Sequence, residues 1–584
     1  MGLRLIEALE IANRPQPEGI DAPFELTLAC GFTPLHLATF LHARIRQQFP
    51  DRKVTFTGPA LYGDLSGNLK RLRELKPNAA AVVIEWTDLD PRLGVRQLGG
   101  WSPEISAGIV ANVPRSLARL QKELLDLSAI STVAVCPPTL PLPPFSNEAG
   151  WQAGPSELRI RAAVSTFLAE LAERSNVRVV SCAAFPVEAA GGGRFDVRSE
   201  LDAGFPYTNG HADAVAELLA KAIRNAPPKK GIITDLDDTL WRGILGDAGI
   251  EGVSWDLANK AAFHGLYQQY LAALAQRGVL VGVVSKNDPK LVAQAFEERK
   301  DLLVGRDLLF PIEAGWGPKS DAVARVIRTW NIGIDSVVFV DDSPMELEEV
   351  RTAHPMVQTF RFPVNDPQGL WNLLLELQDL FGKPQVLDED RIRAASLRIQ
   401  AGFEEAPVDG GPDADDFIAE LNAEITFDRS PQAADARALE LLNKTNQFNL
   451  NGRRIEEGQW RSHLADPRSF LLVVSYKDKF GPLGKIAVVT GRREAERLSV
   501  TSWVMSCRAF ARHIEHQCVR ELFEWSGAEE IELEYRQTAR NGPTTGLLAA
   551  LSGSDLADGP VRIRREDFDS RCPPLFHTVV RSNE

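Results

Sequence analysis

Short β-branched apolar runs alternate with stretches of helical periodicity along the first 350 residues, and no other feature of the sequence constrains the fold as strongly. The runs 24–30 (FELTLAC), 79–86 (AAAVVIEW), 131–138 (STVAVCPP) and 177–185 (VRVVSCAAF) read as strands. Segments such as PLHLATFLHARIRQQF and LRIRAAVSTFLAELAERS lie between them and read as helices. Strands apolar on both faces and separated by helices predict an α/β layer with a parallel sheet. The proline pair and basic cluster of 224–230 (RNAPPKK) interrupt the rhythm and place a boundary near residue 228.

The same rhythm resumes more compactly in 229–375. GIITD and VLVGVVS are strands, and SVVFVDDSPMELEEV is a strand running into a helix. In the helix AAFHGLYQQYLAALAQRG, the residues Phe263, Leu266, Tyr267, Tyr270, Leu271 and Leu274 share one expected buried face. Asp288 followed by Pro289 should cap and open the next helix, and Ser343, Pro344 and Glu346 form an expected capping box. This block is expected to be doubly wound. From 376 to 420 a helical stretch passes into the glycine- and aspartate-rich EEAPVDGGPDADD, read as a linker. The last block, 421–584, mixes the helix ARALELLNKTNQF with strands SFLLVVSYKD, GKIAVVTGRR, RLSVTSWVMS and EEIELEYR, an α+β pattern with antiparallel pairing. At 584 residues, about three domains are expected.

Charge narrows the partners. A formal net charge of -14 argues against nucleic acid, whose phosphates attract basic surfaces. No apolar run approaches the roughly 20 residues that span a bilayer, and the N-terminal segment reads as an amphipathic helix rather than a signal peptide, so a cytoplasmic protein is expected. The six cysteines have no paired spacing, which fits a reducing compartment and small buried side chains better than disulfides or zinc.

In open parallel sheets, functional groups gather beyond the carboxyl ends of strands. Asp235 and Asp237, Ser285, Lys319, and Asp341 with Asp342 all fall there or in the adjoining loops. Converging carboxylates repel unless a hard cation sits among them, and magnesium takes such oxygen ligands together with water and phosphate. Lys319 and the Ser285 hydroxyl are then suited to phosphate oxygens.

The ordered set DLDDT, Ser, Lys and DD resembles the haloacid dehalogenase superfamily. That resemblance implies Asp235 as nucleophile, Asp237 as general acid and then base, and Ser285 and Lys319 as phosphoryl holders. It implies a magnesium site of Asp235, the Asp237 backbone carbonyl, Asp341 and Asp342. Asp238 is expected to shape the loop and Thr239 to lock it. DLDDTLWRGILGDAGIEGV, VVSKNDP, EAGWGPKSDAV and LLNKTNQFNLNGRR further resemble the FkbH-like branch. The branch implies a small phosphorylated acid, 1,3-bisphosphoglycerate, as substrate and an acyl carrier protein as partner for a glyceryl thioester, in polyketide or surface-glycan biosynthesis. Glyceryl-loading members commonly carry Cys before the motif Ser; Val284 stands here, which excludes a thioester relay at that position and favours water as the acceptor, with direct attack by the carrier thiol as the alternative. The alternative expectation is a carrier-protein binding or scaffold module, or an acyltransferase, with a vestigial phosphatase centre.

The same branch implies flanking domains: 1–228 similar to SGNH hydrolases and 421–584 similar to GNAT acetyltransferases. In the first, ACGFTPLH replaces the Gly-Asp-Ser of such hydrolases, and Thr208 stands where an Asp should precede His211. Gly63 and Asn68 remain as oxyanion candidates, and the block is expected to be non-catalytic with His211 at a helix start or on the surface. In the last block, CRAFARHIEH retains Arg508 of a cofactor loop, but Ala511 and His513 take the glycine positions and would crowd a pyrophosphate. Recognition of a carrier's phosphopantetheine is expected there instead, and the polar NKTNQFNLN reads equally as a groove wall or as satisfied turns.

Overall fold

A computed structural model describes residues 2–16, 23–146, 148–174, 176–185, 193–224, 226–383, 419, 421–430, 435–445, 447–479, 481–493, 497–506, 509, 512–538, 541–553, 556 and 558–582. Two compact units emerge. One joins 1–226 with 455–466; the other joins 227–454 with 467–584.

The first unit carries a five-stranded parallel sheet of β1 (Phe24–Cys30), β2 (Val54–Thr57), β3 (Ala79–Val83), β4 (Thr132–Cys136) and β5 (Val177–Val179), ordered β2-β1-β3-β4-β5. Period-2 alternation with a core on each side explains why β3, AAAVV, and β4, TVAVC, read as near-continuous apolar runs. Leu26, Leu28, Ala81, Val83 and Ala134 face one core, while Ala29, Ala80, Val82, Val133 and Val135 face another on the opposite side. Helices cover both sides, among them Leu35–Gln48 and Asn209–Arg224 on the first core and Pro155–Ala172 on the second. Strand β2, VTFT, was not anticipated; its alternation lasts only four residues, too short a signal.

The second unit begins with another parallel sheet. β6 (Gly231–Thr234), β7 (Leu280–Ser285), β8 (Leu309–Ala314), β9 (Val337–Asp341) and β10 (Gln358–Arg361) lie in the order β10-β9-β6-β7-β8. Its two glycines, Gly231 and Gly282, sit under Trp330 on adjacent strands. A Cβ at either would come within 2.4 or 2.8 Å of the indole, so the ring packs flat on the sheet only where side chains are missing. The expected helix spans Ala262–Gln276, but its buried face differs: Leu266 is exposed, and His264 and Gln268 are buried. His264 Nδ1 meets the Thr239 carbonyl at 3.0 Å and Gln268 Nε2 donates to that of Leu240 at 2.8 Å, so this face satisfies the loop after β6 as well as packing on the core.

Asp288 caps the helix Pro289–Glu298 through Lys290 N and Leu291 N, as expected. The capping box at Ser343 does not form. Ser343 makes no side-chain cap, and Glu346 instead accepts from Lys286 Nζ at 2.8 Å.

The unit also holds an eight-stranded sheet. Its path is β17 (Gly559–Arg564), β16 (Glu530–Tyr535), β15 (Arg497–Met505), β14 (Gly481–Arg493), β13 (Ser469–Asp478), β11 (Glu424–Asp428) and β18 (Thr578–Ser582), with β12 (Phe448–Asn449) against β15. Pairing is mostly antiparallel, but β15 with β16 and β11 with β18 run parallel, making the sheet mixed rather than purely antiparallel. The chain is thus a multidomain α/β protein with two parallel sheets and one mixed sheet. Among the described residues no helix is long and apolar enough to cross a membrane. The Gly/Asp-rich part of the linker lies outside the described residues. Of the cysteines, Cys30, Cys136 and Cys518 are buried as expected and Cys572 partly so; Cys182 is exposed, a departure, and Cys507 lies outside the described residues.

Candidate active site

β6 is the middle strand of its sheet, and its ladder continues one residue past Thr234: Asp235 N donates to Val340 O at 3.0 Å. Asp235 therefore stands on a rigid strand end beside the end of β9, where Asp341 is fully buried. Immediately afterwards the chain turns back, with Leu240 N and Trp241 N both donating to Leu236 O. Asp238 enables this turn from the left-handed region, at φ 49°, and its Oδ1 accepts from Gly243 N at 2.8 Å. Asp342 N donates to Thr239 Oγ1 at 3.1 Å, fastening the loop to the end of β9. The loop-shaping role of Asp238 and the locking role of Thr239 both have direct contacts behind them.

Lys319 is the first residue of the helix Lys319–Trp330 rather than a loop residue. It is 4% exposed, and its Nζ lies 2.6 Å from Asp341 Oδ2 and 3.1 Å from Asp235 Oδ1. A lysine in the first turn opposes the helix dipole, so its place depends on these carboxylates. Burial pushes Asp235 up to about 7, with Asp341 adding repulsion and Lys319 opposing it. Lys319 itself stays charged, because the two carboxylates outweigh its burial and raise it above the ordinary lysine value. Burial also raises Asp342, and repulsion from Asp341 and Asp238 adds to the effect.

Asp235, Asp341 and Asp342 each offer a carboxylate oxygen, all within 4.8 Å of one another. Asp235 Oδ1 is buried and has no hydrogen-bond partner among the described residues, its close polar neighbour being the ion-paired Lys319 Nζ at 3.1 Å. An orphaned carboxylate oxygen in an all-oxygen, negatively charged cluster fits a hard divalent cation. These three residues could hold one.

Asp237 takes a different position. Its Oδ1 accepts from Trp241 Nε1 at 2.9 Å and Leu245 N at 3.1 Å, and its Oδ2 accepts from Asn287 Nδ2 at 2.9 Å. The same Asn287 amide reaches Ser285 Oγ at 3.1 Å. Asn287, 3% exposed, thereby couples the ends of β6 and β7. Sequence reasoning passed over Asn287 and Trp241; the signal available was a polar residue two places after a strand-end Ser. Beside Ser285 and Lys319, a crevice is lined by Gly315, Gly317 and Arg325. Asp235, Ser285, Lys319, Asp341 and Asp342 thus gather at one sheet edge, with Asp237 tied to Ser285 through Asn287.

Arg508 and Ala511 lie outside the described residues. In NKTNQFNLN, Asn449 Oδ1 accepts from Asn451 N and Gly452 N, a satisfied turn, while Asn451 Nδ2 donates across to Thr501 O and Glu534 O; Asn446 lies outside the described residues. In the first unit, Asn68 spends its amide on Ala60 N, Leu61 N, Cys30 O and Leu61 O, and Gly63 N donates to Gly31 O, leaving neither as an oxyanion donor. His211 lies in the first turn of the helix Asn209–Arg224, a helix start as expected, but it is not on the surface. It is 6% exposed and its Nε2 lies 2.7 Å from Thr139 Oγ1.

The fold and the acidic strand-end cluster define an α/β protein with a candidate cation site at the carboxyl edge of a parallel sheet. No protein-family model matches the chain, and no curated protein matches it. Among solved structures it is similar to the N-terminal part of the protein BF1531 from Bacteroides fragilis, described as containing a phosphatase domain complexed with Mg. The two share 18% identity, the match covers 66% of this chain and 100% of that one, and the TM-score is 0.50. The likeness is one of fold.

Proposed function

We propose that the chain is a magnesium-dependent phosphatase or phosphotransferase of the haloacid dehalogenase type, working through an aspartyl phosphate on a small phosphorylated acid. The observation that carries this reading is the convergence of Asp235, Asp341 and Asp342 around an orphaned carboxylate oxygen, with Lys319 and Ser285 beside it. The magnesium in the similar phosphatase domain supports the choice of metal. Held by Asp235, Asp341 and Asp342, magnesium supplies charge neutralisation that lets an anionic phosphate approach carboxylates.

The chain's own groups do the rest. Asp235 Oδ attacks phosphorus, a P–O bond forms to the carboxylate, and the bond to the substrate oxygen breaks. Asp237 gives the departing oxygen a proton, then takes one from the water that cleaves the aspartyl phosphate. Three of the four lone-pair positions on Asp237 are occupied by Trp241, Leu245 N and Asn287, leaving one on Oδ2 to carry that proton. Lys319 Nζ and Ser285 Oγ bind the non-bridging oxygens, and the helix N-terminus under Lys319 adds its dipole.

The finer reading rests on the resemblance to the FkbH-like branch: bisphosphoglycerate as substrate, and a carrier protein in the same pathway. Val284, buried at 1% exposure and without a thiol, supports water as the acceptor over an enzyme-bound thioester. The flanking domains, 1–228 SGNH-like and 421–584 GNAT-like, are proposed as non-catalytic. The test measures phosphate release from bisphosphoglycerate and a panel of small phosphate esters, with magnesium and with EDTA. Wild type should release phosphate only with magnesium, and Asp235→Asn should release none. Equal rates for wild type and Asp235→Asn would defeat the proposal.

A further inference from the structure

At the carboxyl edge of the first unit's sheet, far along the sequence from Asp235, lies a cavity of about 260 Å³. Its walls are apolar, with Phe32, Trp86, Leu93, Leu140 and Phe195 among them, and two carboxylates, Glu85 and Glu200, line it as well. Neither carboxylate is an exposed surface group: Glu85 is 2% and Glu200 8% exposed. Glu85 uses its two oxygens unequally. Oε1 accepts from Thr139 N at 3.1 Å, Thr139 Oγ1 at 2.9 Å and Tyr207 OH at 2.7 Å. Oε2 has only Leu140 N, at a long 3.5 Å. Glu200 Oε2 is buried with no hydrogen-bond partner among the described residues.

No lysine, arginine or histidine lines the cavity among the described residues. Cations stand outside it: Arg161 lies over the Trp86 ring at 5.7 Å, Arg194 Nη1 donates to Thr139 O at 3.3 Å, and Arg96 is near enough to Glu200 to favour its charged form. None of them is the missing partner of Oε2 on either glutamate. A buried acceptor without a donor and a second with only the long Leu140 contact are costly in an apolar chamber, and a charged donor within the chamber would remove that cost. Burial lifts Glu85 to about 7 and also raises Glu200, and a neighbouring positive charge would favour the ionised form of each.

We propose that this cavity binds a small organic cation, an ammonium group carried on a compact apolar body. The ammonium donates to the open oxygens of Glu85 and Glu200, and the apolar body lies against Phe32, Leu93, Leu140 and Phe195. Thr139 and Tyr207 hold the Glu85 carboxyl in place through Oε1, leaving Oε2 for the ligand. His211, bonded to Thr139 Oγ1, completes the support for that hydroxyl.

The experiment is isothermal titration of the full chain with three probes of one shape: phenethylammonium, phenethyl alcohol and phenylacetate. Phenethylammonium should bind saturably, and both other probes more weakly by about tenfold or more. Glu85→Gln and Glu200→Gln should each weaken the ammonium by about tenfold or more while leaving the alcohol unchanged. Should Glu85→Gln fail to fold, Glu200→Gln decides the matter, because its Oε2 holds nothing among the described residues. Absence of saturable binding by the ammonium, equal binding of alcohol or phenylacetate, or unaltered affinity in Glu200→Gln would overturn the proposal.

Discussion

Replacing Lys319 by methionine should separate the electrostatic frame of the candidate site from its chemistry. Methionine keeps most of the volume of the side chain and removes its charge. In the structure that charge lies 2.6 Å from a fully buried Asp341 and 3.1 Å from a nearly buried Asp235. Removing one partner of a buried ion pair leaves uncompensated charge and costs about 3–5 kcal/mol. For a domain of this size each kcal/mol moves the midpoint by roughly 2–4 °C, so the transition of the central domain should fall by roughly 6–20 °C. Differential scanning calorimetry in EDTA measures this directly. Added magnesium should then recover a larger part of the deficit in Lys319→Met than it adds to wild type, because the cation takes over neutralisation of the same carboxylates. Phosphate release should stay abolished even where stability returns. A midpoint within about 2 °C of wild type in EDTA would refute the buried-pair argument. Identical magnesium increments in the two proteins would refute the shared site.

Asn287→Ala should lower kcat by roughly ten- to a hundredfold with little change in KM, since it frees Asp237 and Ser285 from their common donor without removing either; an unchanged kcat would show that the bridge does not position them. His211, held neutral by burial and lowered to about 4, makes the first unit sensitive to acid. The folded state resists a proton that the unfolded chain accepts near its ordinary value of about 6.5. Stability is therefore full above that pH and is lost as pH falls toward 4, by about 3 kcal/mol. His211→Gln, which can still reach Thr139, should flatten that part of the pH profile in urea titrations; an unchanged slope would place the acid sensitivity elsewhere.

The sequence by itself determined the strands and the order in which their ends present chemistry. Runs such as FELTLAC and SFLLVVSYKD coincide with β1 and β13, because strands buried over most of their length need mostly apolar residues and record that need locally. The positions of Asp235, Ser285 and Asp341 at strand ends follow from the same runs, and the cap at Asp288 from its neighbour Pro289. Tertiary structure decided everything that depends on which elements face each other. Ser343 and Glu346 have the spacing of a capping box, yet Ser343 makes no side-chain cap and Glu346 pairs with Lys286 from the end of β7 instead. Leu266 reads as core by periodicity, but the neighbouring face is drawn inward by His264 and Gln268, whose partners are loop carbonyls after β6. His211 reads as a helix-start or surface histidine; it does start the helix Asn209–Arg224, but its burial and its partner Thr139, 72 residues away, come from the fold. Asn287 joins Asp237 to Ser285 across 50 residues, and Glu85 meets Tyr207 across 122. Local pattern encodes burial and backbone conformation, whereas polar partnership is set by distance in the folded chain, where a buried donor or acceptor takes the nearest group that satisfies it.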